Sequence, residues 1–237
     1  MKTKRSARTT LTICMLIGLA GLNALLVIGA MAHPRQQSDW KQWTANEVKQ
    51  VLGNSPWVSH CCSTYLDGDV PIEYEAAIVS SQTVRKALVR DMQLNKGYEK
   101  LDPALRQKLD QRISECLNEK YDDYIVIGFS FFTPALTPVN QIHLLTSDGR
   151  KIVGQPVNDS IGRKCGELPK GENWIAVMRF DSEIAFPRYV DGKPTITPTD
   201  KLIRIELDFY KKFYHTRTGG EFDFSIDKLI YQGKPDF

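Results

Sequence analysis

The sequence predicts an α+β fold in which a β-rich antiparallel sheet or sandwich carries a two-helix insertion and a short N-terminal helix. Three observations lead to this fold class. Apolar and polar residues alternate through the C-terminal half, the apolar period becomes helical over residues 81–120, and a short capped helix precedes the first strand. With 237 residues, the chain has room for one ordinary domain, which we expect over residues 40–237.

Residues 1–32 are typical of an export signal or a membrane anchor. Four basic residues and no acid precede an uncharged apolar run from Leu11 to Ala32. That run is long enough to span a bilayer, whereas Ala30-Met31-Ala32 fits a signal-peptidase site. We favour a cleaved signal peptide, with an uncleaved transmembrane anchor over residues 11–32 as the alternative. Either way, the polar linker 33–39 and the domain are predicted to be exported, to the periplasm or the extracellular medium.

The charge balance argues against a nucleic-acid partner. The chain has 31 Lys+Arg and 28 Asp+Glu, and residues 1–32 contribute four of the bases and none of the acids. Without that segment the remainder has a net charge of about −1 with neutral histidines. The basic character of the chain therefore belongs to its leader.

The N-terminal helix has local signals for both of its ends. Thr44 and Glu47 have the spacing of a capping box, and Trp43 can pack onto Val48 as a hydrophobic staple. Gly53 suits a left-handed residue at the C-terminus.

Three tryptophans, Trp40, Trp43 and Trp57, bracket this helix. We expect them to be structural anchors, in preference to a platform for stacking a ligand.

The middle of the chain predicts a strand followed by two helices. "PIEYEAAIVS" has strand character, and "SQTVRKALVRDMQL" then shows helical period with Arg85, Lys86 and Arg90 on the polar side. A second helix begins with Asp102 as N-cap and Pro103 at the first position, and it ends near Lys120.

The C-terminal half predicts five or six strands. "YIVIGFSFF" fits a strand buried on both faces, and "NQIHLLTSDGRKIVGQPV" resembles a hairpin with a type I′ turn at Asp148-Gly149. "WIAVMRFD", "LIRIELDFY" and "EFDFSID" are further strands, of which the last two alternate between a buried and a wet face. The proline-rich stretch from Phe186 to Asp200 is predicted to be a surface loop.

Two adjacent cysteines beside a histidine, His60-Cys61-Cys62, are the most unusual local feature. After cleavage the chain keeps Cys61, Cys62, Cys116 and Cys165, and an even number in an oxidising compartment favours disulfides. Because a disulfide between two adjacent cysteines is strained, we expect Cys61 and Cys62 to pair with Cys116 and Cys165. If one bridge forms, Cys116 is expected to be the plain buried thiol.

The alternatives for this segment are a metal site at His60, Cys61 and Cys62, or a cysteine nucleophile whose base is His60, His143 or His215. Neither has supporting spacing elsewhere in the chain. Asp67-Gly68-Asp69 is predicted to be a turn and not a Ca²⁺ site.

No catalytic residue and no cofactor are predicted. The sequence contains none of the motifs GxSxG, HExxH and GxGxxG.

One resemblance spans about a third of the chain. The segment from Trp43 to Trp57, which contains WT, EV, L and SPW at fixed spacing, together with "SSQTVRKALVR" and the closing "LIYQGKPDF", resembles a family of uncharacterised exported bacterial proteins. The resemblance implies export and lends no catalytic residue, because the family has no known activity.

Our first functional hypothesis is therefore an exported, non-enzymatic binding or structural module of the periplasm or envelope. Its partner would be an unidentified protein or envelope component, and it would touch a membrane only through residues 11–32 if these are uncleaved. The alternative is an exported metal-binding, redox or hydrolytic protein centred on His60, Cys61 and Cys62.

Overall fold

The computed structural model describes most of the chain beyond residue 38. It describes residues 39–66, 70–95, 97–131, 139–166, 168–170, 173–175, 180, 182–197, 199–211, 216–231 and 234–237. The segment Asp39–Phe237 forms one compact unit. The leader predicted at residues 1–32 and most of the linker predicted at 33–39 lie outside the described residues.

The elements follow one another in the order helix, hairpin, two helices, and then strands interrupted by one further helix. The helices are α1 (Ala45–Asn54), α2 (Gln82–Asn95), α3 (Pro103–Asn118) and α4 (Ile161–Gly166). The longer strands are β1 (Val58–Leu66), β2 (Val70–Ile78), β3 (Tyr124–Phe131), β4 (Val139–Leu145), β9 (Ser182–Pro187), β12 (Leu202–Lys211) and β13 (Thr216–Ser225). The short strands are β5 (Lys151–Val153), β6 (Gln155–Pro156), β7 (Leu168–Lys170), β8 (Asn173–Ile175), β10 (Tyr189–Val190), β11 (Lys193–Pro194), β14 (Ile230–Tyr231) and β15 (Lys234–Pro235).

Two antiparallel sheets form the body of the protein. One has the order β1-β2-β3-β9-β6 and the other has the order β13-β12-β4-β5. Their apolar faces meet, and the rings of Phe129 and Phe222 touch edge to face with centroids 5.8 Å apart. The predicted β-rich α+β fold with an antiparallel sandwich is confirmed.

One side of the sandwich is joined by the chain itself at Gly154. Val153 pairs with the four-stranded sheet, whereas Gln155 pairs with Ala185 in the five-stranded sheet. A Cβ atom at Gly154 would lie 2.2 Å from Cγ2 of Ile184. Only glycine therefore fits the corner at which the chain changes sheets.

The opposite side of the sandwich is joined by a contact between β1 and β13. The amide of Asp223 in β13 donates a hydrogen bond of 3.2 Å to Oγ of Ser59 in β1. The two sheets therefore approach each other along both sides, and the buried rings of Phe129, Phe186 and Phe222 belong to the core between them.

The helices cover the outer face of the five-stranded sheet. The strand register places Ala77, Gly128 and Glu183 side by side on that face. The buried Glu183 carboxylate accepts hydrogen bonds of 2.7 Å from the amides of Ile161 and Gly162 at the start of α4. Since α4 contacts α2 and α3, and α2 contacts α1, the helical layer lies over the same face.

The local helix signals are confirmed at both N-termini. Thr44 and Glu47 form the predicted capping box, with the Thr44 amide 2.7 Å from Oε2 of Glu47. Asp102 caps α3, and Pro103 occupies its first turn. The prediction for Gly53 is wrong, because α1 continues through it to Asn54.

Two of the longer strands, β1 and β9, were not predicted from the sequence, and the short β10 and β11 lie within the predicted surface loop. β1 contains the Ser-His-Cys-Cys-Ser-Thr stretch, which lacks the alternation of apolar and polar residues that marks a half-buried strand. β9 overlaps the start of the predicted loop at Phe186, yet it lies between β3 and β6 in the sheet.

The Asp148-Gly149 pair correctly predicts the hairpin, but it does not adopt the predicted type I′ turn. β4 and β5 pair as predicted, but only Gly149 has a positive φ, at 83°, and its amide bonds to the carbonyl of Thr146 at 3.0 Å. Positive φ values at both central residues occur instead at Asp191 and Gly192, in the β10–β11 hairpin. The tertiary setting decides which Asp-Gly pair adopts the I′ turn.

Candidate functional site

The histidine and cysteines at positions 60–62 lie in the edge strand β1. The exposed His60 places Nε2 2.7 Å from the carbonyl oxygen of Gly53 at the end of α1. Cys61 is disulfide-bonded. The register of β1 against β2 shifts by one residue between Cys61 and Thr64, which is the pattern of a β-bulge. The side chain of Cys62 is outside the described part of the structure.

The disulfide at Cys61 removes the free thiolate that the metal-site and nucleophile hypotheses require. A disulfide-bonded sulfur at Cys61 is neither a thiolate ligand nor a nucleophile. The side chains that the structure describes contain no group of three His, Cys, Asp or Glu residues able to hold a metal ion. His143 is half-buried in β4, and His215 and Asp67 to Asp69 lie outside the described residues.

Cys116 and Cys165 bond to each other and tie α3 to α4. Both side chains are buried. The predicted pairing of these cysteines with Cys61 and Cys62 is therefore wrong, and Cys116 is not a free thiol. The physical reason is topological. α3 and α4 pack together in the helical layer, whereas Cys61 lies in an edge strand of the sheet.

The last residues of the described chain cap the N-terminus of α2. The Asp236 carboxylate accepts hydrogen bonds from Ser81 Oγ at 2.9 Å, from the Gln82 amide at 2.6 Å and from the Thr83 amide at 3.0 Å. Ser81 Oγ also accepts from the Val84 amide at 3.2 Å. Two of the four free amides at the start of the helix thus bond to one buried carboxylate. The positive end of the helix dipole also stabilises the negative charge of this carboxylate.

The three tryptophans occupy different environments. Trp43 and Trp57 are almost fully buried, and Trp40 is half-buried in a short 3₁₀ helix. Trp57 Nε1 donates a hydrogen bond of 2.7 Å to the carbonyl of Asp236. Trp57, Ser81 and Asp236 come from the three segments of the resemblance, and the fold brings them together at the start of α2.

Arg85 is the most unusual charged residue near this junction. Its side chain is 5 % exposed, and Nη1 donates to the carbonyls of Cys116 at 2.6 Å and Glu119 at 3.0 Å. Its Nε is buried and has no hydrogen-bond partner in the described structure. Sequence analysis placed Arg85 on the polar face of its helix. That prediction is wrong, because α3 ends against that side of α2.

Arg188 and Tyr121 continue the same cluster. Arg188 donates from Nε to the carbonyl of Tyr121 at 2.8 Å and from Nη2 to the main-chain oxygen of Phe237. The guanidinium of Arg85 lies 5.0 Å from the centre of the Tyr121 ring, and that of Arg188 lies 5.5 Å from the centre of the Phe237 ring. These four side chains surround one open cleft.

The cleft has a volume of about 610 Å³ and is the candidate functional site, which we call the arginine cleft. Its lining includes Gln82, Arg85, Lys120, Tyr121, Asp122, Arg188, Asp236 and Phe237. Sequence analysis singled out none of these residues as a binding group. Along the sequence, the one segment that attracted attention is the closing "KPDF" of the resemblance. It does not indicate which helix these last residues pack against.

Two further clefts flank α3. One, of about 680 Å³, contains Lys164, whose Nζ lies 3.3 Å from Glu119 and 3.0 Å from Asp159. The other, of about 490 Å³, includes Trp40 and Tyr98. In the first cleft Lys164 is paired directly with carboxylates, whereas Arg85 in the arginine cleft donates only to backbone carbonyls.

Among the described residues, no helix has the length and apolar character needed to cross a bilayer. Comparison of the chain with protein-family models, with curated proteins and with solved structures finds no match.

Proposed function

We propose that this protein is an exported module that binds or organises a component outside the cytoplasm. The observation that carries the proposal is the disulfide between Cys116 and Cys165. Disulfides form and persist in oxidising compartments and are rare in the reducing cytoplasm of mesophilic cells. This supports the same destination as the basic and apolar leader predicted from the sequence.

The arrangement of polar groups supports a binding or structural role. The space between the two sheets is filled by aromatic and aliphatic side chains, so the unusual polar chemistry lies at the surface, in the arginine cleft. The competing hypothesis of a metal site or a cysteine nucleophile at His60, Cys61 and Cys62 would need a free thiolate at position 61, where the sulfur is disulfide-bonded.

The experiment is fractionation of cells that produce the full chain, followed by intact-mass measurement. Free thiols are blocked before lysis, and the mass is taken with and without reduction. We expect the protein outside the cytoplasm, with Cys116 and Cys165 blocked only after reduction. A mass that begins at His33 would indicate a cleaved signal, and one that begins at Met1 would indicate an anchor.

The matched control is the double variant Cys116→Ser/Cys165→Ser, which should take up two fewer blocking groups after reduction. A wild-type chain that stays in the cytoplasm with both of these thiols free would contradict the proposal.

A further inference from the structure

The charge of Arg85 is poorly compensated by its surroundings. Charged side chains are rarely buried unless they are paired, yet Arg85 is 5 % exposed and donates only to backbone carbonyls. The partial negative charge at the end of α3 offsets its burial in part. Burial lowers the pKa of Arg85, whereas Tyr121, Asp236 and Glu119 act in the opposite direction.

The carboxylates nearest to Arg85 are engaged elsewhere. Both oxygens of Glu119 lie 3.3 Å from Nζ of Lys164, and both oxygens of Asp236 accept hydrogen bonds at the start of α2. Burial raises the pKa of Tyr121 above its usual range, so its phenol is neutral at pH 7 and adds no negative charge. The positive charge of Arg85 thus faces the cleft without a dedicated counter-ion.

A second and a third cation line the same cleft. Arg188 is half-buried, and its guanidinium donates to the main-chain oxygens of Tyr121 and Phe237. Burial lowers the pKa of Arg188, while Asp122 and Tyr189 raise it. Lys120 is exposed at the rim. The cavity volume of about 610 Å³ is within the range of small-molecule sites.

We propose that the arginine cleft binds a small oxyanion, a phosphate or carboxylate group, between Arg85, Arg188 and Lys120. This inference rests on the proposed function and names the ligand class of the module. A phosphate or carboxylate oxygen forms charge-assisted hydrogen bonds with guanidinium groups, and a bound anion would give the buried charge of Arg85 an ionic partner besides the backbone carbonyls to which it donates. Glu119, Asp122 and Asp236, which also line the cleft, would disfavour large polyanions through like-charge repulsion.

The test is isothermal titration of the oxidised full chain with inorganic phosphate and, separately, with citrate. Sodium chloride keeps the ionic strength constant, so that general screening does not change. We expect saturable binding of at least one probe at one site, with a Kd of about 1 mM or tighter. The probe that binds more tightly distinguishes a phosphate from a carboxylate ligand.

Two variants locate the site. Lys120→Ala should weaken binding about two- to fivefold, because an exposed charge contributes modestly. Arg188→Gln should weaken it about tenfold, through the loss of a charged hydrogen bond. Lys201→Ala, a matched exposed lysine outside the cleft, should leave binding unchanged. Circular dichroism verifies that each variant is folded, and Lys120→Ala gives the test if Arg188→Gln does not fold.

Absence of saturable binding of both probes to the folded wild type would overturn the inference. Equal weakening by Lys120→Ala and Lys201→Ala would overturn it as well, because binding would then follow overall charge. Both results are independent of export, since the titration uses purified protein whatever compartment it comes from. The fractionation experiment can therefore fail while this one succeeds, and the reverse.

Discussion

Replacement of Asp236 by alanine tests whether the end of the chain holds α2 in place. The carboxylate is 9 % exposed and accepts hydrogen bonds of 2.6 to 3.0 Å from Ser81, Gln82 and Thr83. Alanine would leave one hydroxyl and two amides without this acceptor, in a place where water has limited access. Loss of an N-cap lowers stability by about 0.5–2 kcal/mol, and hydrogen bonds to charged groups contribute about 1.5–3 kcal/mol each.

Because these terms overlap, we expect Asp236→Ala to lower the free energy of unfolding by about 3 kcal/mol. Asp236→Asn keeps one oxygen acceptor and loses the charge at the positive end of the helix, so about 1–2 kcal/mol is expected. The assay is urea unfolding of the oxidised protein, followed by tryptophan fluorescence and far-UV circular dichroism. An unchanged m-value would show that the change lies in stability and not in the unfolded state.

Asp227 provides the matched control. It is an exposed acid in the 3₁₀ helix Ile226–Lys228, a few residues before the tail. Asp227→Ala should change stability by no more than about 0.5 kcal/mol. If Asp236→Ala lowers stability by no more than this control does, the contact between the tail and α2 adds nothing and the reasoning is refuted.

Two further predictions concern the disulfide and the corner of the sandwich. Loss of the Cys116–Cys165 bridge, which closes a loop of 49 residues, should lower stability by about 4 kcal/mol in the chain-entropy model. Urea unfolding of the oxidised wild type and of Cys116→Ser/Cys165→Ser, both without reductant so that the disulfide at Cys61 is kept, measures this, and coincident curves would contradict it. Gly154→Ala places a Cβ atom 2.2 Å from a side chain of β9 and should lower stability by about 1–3 kcal/mol. Gly53→Ala, where the Cβ meets nothing within 4 Å, should be neutral or stabilising by up to about 1 kcal/mol, and an equal loss for both variants would refute the steric argument.

Sequence analysis succeeded where structure depends on neighbours along the chain. The capping box of Thr44 and Glu47 joins residues three apart, and its partners are readable before any fold is known. The alternation of Ile203, Ile205 and Leu207 with polar residues likewise predicts the buried face of β12, which the structure confirms.

The candidate site could not be predicted in this way, because its groups are far apart in the chain. Asp236 and Gln82 are separated by 154 residues, and no local pattern indicates that one caps the other. Arg85 has the sequence context of a solvated helix face. It is buried because the end of α3 packs over it, and only the arrangement of the helices determines that.

The cysteines show the same difference between what local sequence predicts and what tertiary contacts decide. Their number and the exported context predicted disulfides, since these depend on composition and compartment. Which cysteines bond depended on which elements pack together, and the fold brought Cys116 to Cys165 across the contact between α3 and α4. The sequence by itself determined the periodicity, the caps and the fold class, through interactions between residues a few positions apart. Tertiary structure alone decided the bridge, the burial of Arg85 and the position of the tail, because these depend on contacts between distant elements.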